Sequence, residues 1–128
     1  MLGIRGAVGE DEATLPELPE VETVRRGAEP HLVGRRLRTL ELRRDDLRWP
    51  MPKRALQGLV GRKCSSVRRR SKYLLVQFDG LAAPIALIHL GMTGRLIVDP
   101  IKPRATRPEY RKHEHWRMDF GDRLVRFI

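Results

Sequence analysis

The segment LPELPEVETVRRG, residues 15–27, decides how the chain begins to fold. Pro19 has a fixed φ and no N–H group, so it suits the first turn of a helix. Glu20 and Glu22 follow at the positive end of the helix dipole, and Arg26 lies four residues after Glu22. Apolar residues recur at helical spacing, at Val21, Val24 and Ala28. These features predict an amphipathic helix from Pro19, packed by one face on a core.

The rest of the chain predicts mostly β-structure. Gly27 and Pro30 are expected to weaken or end the helix. Strand-like runs, separated by turn residues, occur at residues 37–44, 63–70, 71–78, 86–90, 95–98, 113–120 and 123–128, with a short helix at 53–61. Within 113–120, the large apolar residues Trp116, Met118 and Phe120 share one face. The pattern predicts an α+β fold, with an N-terminal helix followed by mostly antiparallel strands. Residues 1–14 lack periodicity and predict a disordered tail.

Composition narrows the class of partner. The 128 residues suit one domain and carry 26 Lys and Arg against 16 Asp and Glu, a formal net charge of +10. This excess of cations favours a polyanion, above all nucleic acid, and an anionic lipid surface is the alternative. Cys64 is the single cysteine, which excludes an internal disulfide and a cysteine-based zinc site within this chain and fits a reducing, cytoplasmic setting. No apolar run approaches the roughly 20 residues that span a bilayer.

Five segments together carry a resemblance to a known family. They are LPELPEVETVRRG (15–27), LRWP (47–50), RRRSKYLL (68–75), HLGMTGRL (89–96) and KHEH (112–115). In this order the set resembles the N-terminal catalytic domain of formamidopyrimidine-DNA glycosylases over residues 15–128. The resemblance implies a β-sandwich and base excision repair of double-stranded DNA: removal of oxidised purines (8-oxoguanine and formamidopyrimidines), then AP lyase β,δ-elimination. It also implies a monomer in the bacterial cytoplasm, associated with the nucleoid.

The same resemblance assigns the catalytic roles. Pro16 corresponds to the family's N-terminal proline, a secondary amine that attacks the sugar and forms an iminium. A terminal amine has a pKa of about 8, so more of it is unprotonated at neutral pH than of a lysine. Glu17 would serve as the acid for ring opening and proton transfer. Lys72 would contact the damaged nucleotide and its phosphate; by strand parity it shares the apolar face of Leu74, where the common alternative is a lysine that snorkels at a strand end.

Four more residues are expected to bind DNA. Glu20 would assist in the pocket of Pro16, although a carboxylate there is also an ordinary helix-start charge. Met92, in a glycine-flanked turn, would be the wedge that replaces an everted base, where the alternative is a satellite core residue. Arg70, within the 68–70 run, and His113, beside the basic 102–112 loop, would bind phosphates. A His113–His115 metal pair lacks a third ligand in the sequence.

The sequence departs from the family in two respects. Pro16 follows Leu15, so its nitrogen is part of an amide bond and cannot form an iminium unless residues 1–15 are removed. One hypothesis is that translation starts at Leu15. Residues 1–14 are then a mis-annotated extension. The family's helix–two-turn–helix and zinc-finger domains are not in these 128 residues, so no cofactor is expected in this chain. Two alternatives therefore stay open: a non-catalytic basic DNA-binding remnant, or an inactive truncated product.

Overall fold

A computed structural model of the protein describes residues 2–5, 19–43, 52–90 and 94–128. Its helices and strands follow in the order β1 (Leu2–Arg5), α1 (Pro19–Leu32), β2 (Thr39–Leu42), α2 (Lys53–Gln57), β3 (Cys64–Arg70), β4 (Tyr73–Phe78), β5 (Ile85–His89), β6 (Leu96–Pro100), β7 (Trp116–Asp119) and β8 (Arg123–Phe127). No helix in these four ranges is long and apolar enough to cross a bilayer.

The strands form two four-stranded antiparallel sheets. The first has the order β1-β5-β4-β3 and the second the order β2-β7-β8-β6. Buried side chains of α1, α2 and both sheets belong to a single hydrophobic cluster, so the sheets share one core. The predicted α+β fold, with a helix followed by an antiparallel β-sandwich, is confirmed.

Helix α1 begins at Pro19, as its sequence predicts, but it does not end at Gly27 or Pro30. It continues to Leu32, with Pro30 inside it. A proline there removes one backbone hydrogen bond. Ala28 and Leu32 lie in the core at 2% and 1% exposure, and the packing of this last turn holds the helix together despite Pro30.

The amino-terminal residues also differ from expectation. Residues 2–5 of the predicted disordered tail form strand β1, which pairs antiparallel with β5 from Leu2 opposite Ile88 to Arg5 opposite Ile85. Leu2 is buried in the core. The tail is too short to show periodicity of its own, and it is ordered because β5 offers an unpaired edge and the core a place for Leu2. Residues 6–14 lie outside the described ranges.

Strand β7 confirms the predicted alternation of faces. Trp116 and Met118, with Phe120 just after the strand, are all buried in the shared core. Arg117 points to the opposite face, yet it is also buried. It pairs through the backbone with Glu41 of β2 and Arg126 of β8, so this face of the sheet carries charges. The loop between β6 and β7 contacts Arg117 through Pro108 and Tyr110, and β6 extends through Pro100, two residues further than expected.

Candidate functional site

The structure describes four of the seven predicted site residues. Glu20 is exposed in the first turn of α1, and Arg70 is half-buried at the end of β3. Lys72 and His113 are exposed. The predicted nucleophile Pro16, the acid Glu17 and the wedge Met92 lie outside the described residues.

Lys72 lies at the tip of the β3–β4 hairpin and not within β4. Arg70 pairs with Tyr73, which leaves Ser71 and Lys72 as the turn. Ser71 has a φ of 53°, in the left-handed region that tight hairpin turns require. The expectation that Leu74 and its neighbours of equal parity form the core face is confirmed. Placing Lys72 on that face was wrong, because the chain already turns at this residue and leaves its side chain in solvent.

The hairpin tip lies beside the end of β5, where the HLGMTGRL segment begins. Tyr73 pairs with His89, and their rings lie 4.9 Å apart at a tilt of 56°. Burial lowers the pKa of His89, and the positive charge of Lys72 contributes in the same direction. His89 therefore belongs to the candidate site, although sequence reasoning gave it no role. Only the strand register reveals it, because Tyr73 and His89 are distant in sequence.

Gly94 lies two residues before β6, and the structure explains why a glycine stands there. A Cβ at this position would collide with the Leu90 carbonyl oxygen and with the ring of Phe127. Phe127 also contacts the ring of His115 at 5.9 Å between centroids, and its carbonyl accepts the His115 N–H at 2.8 Å. Phe127 therefore brings the segment that carries His113 to the same end of the molecule as Leu90 and Gly94.

A buried charge cluster connects the start of α1 to the hairpin tip. Glu22 accepts hydrogen bonds from Arg25 Nε and Nη2, both at 2.7 Å, and from Arg26 Nε at 2.8 Å. These hydrogen bonds, with that of Arg25 the strongest influence, lower the pKa of Glu22 to about 2. Arg69 Nε lies 3.8 Å from Glu22 Oε1, and Arg69 Nη1 donates to the Ser71 carbonyl at 3.2 Å.

Arg69 thus spans from the first turns of α1 to the turn that carries Lys72. The side chains of Arg69 and Glu22 are 5% and 10% exposed, so solvent screens this contact less than a surface pair. From the sequence, Glu22 is a helix-start charge, and Arg69 is one of three consecutive arginines that are expected to contact phosphates. The parity of β3 could have distinguished Arg69, because Val67, two residues earlier, is a core residue.

His113 lies in a tight turn next to the sheet β2-β7-β8-β6. Its φ is 68°, a left-handed conformation that non-glycine residues adopt at a cost. Within the described ranges, no group of three or more His, Cys, Asp or Glu side chains is arranged to hold a metal ion. Cys64 is buried in the core, and burial raises the pKa of its thiol to about 12.

Comparison with known proteins identifies the family. The model of the formamidopyrimidine-DNA glycosylase N-terminal domain matches residues 15–128. The formamidopyrimidine-DNA glycosylase of Cellvibrio japonicus is 45% identical over 114 residues, which are 88% of this chain and 39% of that protein. The one from Paracoccus denitrificans is 51% identical over 85 residues, which are 66% of this chain and 30% of that protein. The chain thus spans about two fifths or less of the length of these relatives.

Solved structures show the same similarity in three dimensions. The Lactococcus lactis formamidopyrimidine-DNA glycosylase, bound non-covalently to DNA that contains an AP site, superposes with a TM-score of 0.64 at 30% identity, over 88% of this chain and 40% of that one. MutM in complex with DNA containing carbocyclic 8-oxo-G gives a TM-score of 0.65 at 30% identity, over 88% and 39%. The family model, the curated relatives and the fold agree, and the chain belongs to the formamidopyrimidine-DNA glycosylase family.

Proposed function

We propose that this chain is the catalytic N-terminal part of a DNA glycosylase with AP lyase activity, which removes oxidised purines in base excision repair. One observation carries the proposal. The turn that bears Lys72 is held against the first turns of α1 by Arg69, and α1 begins three residues after Pro16. Lys72 is therefore held close to the start of α1, and Pro16 and Glu17 precede that helix by three and two residues in the sequence.

The chemistry follows from the types of residue. A free Pro16 nitrogen attacks C1′ of the damaged nucleotide, a C–N bond forms, and the glycosidic C–N bond breaks as the base leaves. Glu17 supplies the proton for ring opening of the sugar. The resulting iminium withdraws electrons from C1′, so a proton leaves C2′ and the 3′ phosphate departs, followed by the 5′ phosphate. Lys72, Arg70 and His113 bind the flanking phosphates.

A second function has an observation in its favour. In residues 1–128, a peptide bond joins Leu15 to the Pro16 nitrogen, and this bond blocks iminium formation. The net charge of +10 is present all the same. A protein in this state binds DNA through phosphates without excising a base. The two functions differ in one measurable product, a covalent bond between the protein and the sugar.

Borohydride trapping on a duplex that contains 8-oxoguanine tests the proposal. We expect a reduced covalent adduct at Pro16 with a form of the chain that begins at Pro16, once circular dichroism shows that this form stays folded without β1. We expect none with residues 1–128, in which the same nitrogen is an amide. A Pro16→Gly variant of the shortened form should lose the adduct. Salt-sensitive duplex binding by both forms, with an adduct from neither, would instead establish the non-catalytic function.

A further inference from the structure

We propose that Glu114 is a positioning residue: its buried carboxylate holds the turn of residues 111–114 so that Lys112 and His113 face a phosphate of DNA. The inference rests on the proposed function in one respect, which is that DNA is the partner. It assigns a role to an acidic residue in the middle of a basic segment. It needs no base excision.

The carboxylate of Glu114 is fully buried, at 0% exposure. Its Oε2 accepts from Arg117 Nε at 2.8 Å, and its Oε1 lies 3.8 Å from Arg126 Nη1. Both arginines are themselves buried, at 3% and 4% exposure. An unpaired buried cation is strongly destabilising, so the negative charge of Glu114 neutralises this part of the interior.

The same carboxylate also holds the turn. Glu114 Oε1 accepts the Arg111 backbone N–H at 3.1 Å, and the Glu114 N–H donates to the Arg111 carbonyl at 3.1 Å. Arg111 and Glu114 therefore close a loop around Lys112 and His113. Both enclosed side chains are exposed, and His113 has a φ of 68°. The two contacts compensate for the cost of this left-handed residue.

The part of the sheet beneath this turn is held in place by several side-chain contacts. The Arg117 guanidinium lies 3.9 Å from the centre of the Tyr110 ring, and Arg117 Nη1 donates to the Pro108 carbonyl at 2.9 Å. Arg126 Nη2 donates to Asp99 at 2.6 Å, which connects the neighbouring strand β6. Glu114 thus connects an exposed turn to a sheet that cannot easily shift.

Charge explains why the arrangement suits a phosphate. The carboxylate of Glu114 is directed to two interior arginines, so it does not neutralise the exposed cation of Lys112. A phosphate needs several donors at fixed positions, and a turn whose backbone is closed at both ends supplies them at a lower entropic cost than a mobile loop.

The test compares two variants that change the charge equally. Glu114→Gln removes the buried carboxylate, and Glu109→Gln removes an exposed one five residues earlier in the same segment. Binding of the 128-residue chain to a duplex is measured by fluorescence anisotropy over a range of salt. We expect Glu114→Gln to weaken binding about tenfold although it adds positive charge, and to lower the salt slope by about 0.9 for each lost phosphate contact. Glu109→Gln should bind equally or slightly more tightly.

A double-mutant cycle separates positioning from general stability. In a Lys112→Ala/His113→Ala background, Glu114→Gln should change the affinity for duplex by less than about twofold, because the two side chains that the turn positions are already absent. Glu114→Asp keeps the carboxylate and should restore binding. The inference is overturned if Glu114→Gln binds as tightly as Glu109→Gln, if its loss persists in the double-alanine background, or if a folded Glu114→Asp is as weak as Glu114→Gln.

If Glu114→Gln does not fold, two measurements on the unmodified chain test the role of Glu114 instead. The Arg111 amide should then be protected from hydrogen exchange, and the imidazole resonances of His113 should shift when duplex is added. An unprotected amide, unmoved resonances or no salt-sensitive binding to duplex overturns the inference. A failure of borohydride trapping with duplex binding intact contradicts only the proposed base excision and leaves the role of Glu114 standing.

Discussion

The Glu22 cluster makes stability depend on pH in a defined window. The hydrogen bonds from Arg25 and Arg26 lower the pKa of Glu22 from 4.5 to about 2. A carboxyl whose pKa is lower in the folded protein contributes its full stability above its unfolded pKa, and this stability is lost as the pH falls through the folded pKa. The contribution should therefore be complete at pH 6 and decline between about pH 5 and pH 2.

The size of the effect follows from the same geometry. Each pKa unit corresponds to about 1.4 kcal/mol, so the lowered pKa sets a ceiling of about 3 kcal/mol. The Arg26 side chain is 70% exposed, and solvent screens its share of the interaction. The Arg25 and Arg69 side chains are 22% and 5% exposed and are screened less. We therefore expect Glu22→Gln to lower the free energy of unfolding by about 2 kcal/mol at pH 7.

Urea unfolding between pH 7 and pH 2.5 measures this. The difference between wild type and Glu22→Gln should shrink as the pH falls, because the wild-type carboxyl becomes protonated. Asp122, whose pKa the Arg35 hydrogen bond lowers, makes both proteins less stable in acid and cancels in the difference. Glu29→Gln on the same helix is the control, since the Glu29 carboxylate accepts an exposed hydrogen bond from Arg25. A difference that does not vary with pH would refute the reasoning.

Two further predictions concern the core. Leu2→Ala should lower the free energy of unfolding by about 2 kcal/mol, because Leu2 is 1% exposed. Leu81→Ala is the control: Leu81 is 91% exposed, and its loss should change the free energy of unfolding by less than about 0.5 kcal/mol. Urea unfolding compares the two variants, and equal effects would show that β1 is not docked on the core. Cys64 should resist iodoacetamide at pH 8 in the folded protein and react once urea unfolds the chain, because the thiol is buried and its pKa is raised to about 12. Mass spectrometry follows the alkylation. Rapid reaction of the folded chain would contradict the burial of Cys64.

The sequence predicts the elements well where local signals and burial agree. The start of α1 at Pro19 and the inward face of β7 were predicted correctly, since a proline with early carboxylates and a strict alternation are strong local patterns. The end of α1 was not, because the burial of Leu32 is a tertiary effect that overrides Pro30. Strand β1 was missed for the same reason: four residues become a strand only next to β5.

For the candidate site, the sequence predicts which residues take part but not how they are held in place. Resemblance supplied Lys72 and His113 as residue types in motifs, and the structure adds the contacts that hold the backbone beside them. The parity of β3 points to a buried Arg69. Its partner Glu22, and Glu114 at the 111–114 turn, could not be found from local pattern, because an acidic residue near arginines in a sequence is normally part of an exposed ion pair.

The two buried carboxylates share one physical logic. The chain packs Arg69, Arg117 and Arg126 into its interior and leaves Lys72, Lys112 and His113 exposed. Glu114 pairs with buried arginines, and Glu22 pairs with the half-buried Arg25, the buried Arg69 and the exposed Arg26. None of the salt bridges among the described residues includes Lys72. If acidic residues were instead distributed over the surface, they would neutralise more of the exposed cations and leave the interior arginines unpaired. Placing negative charge inside therefore stabilises the fold and leaves the exposed cations unneutralised. Under the proposed function, the exposed cations at the turns of Ser71 and His113 bind phosphate.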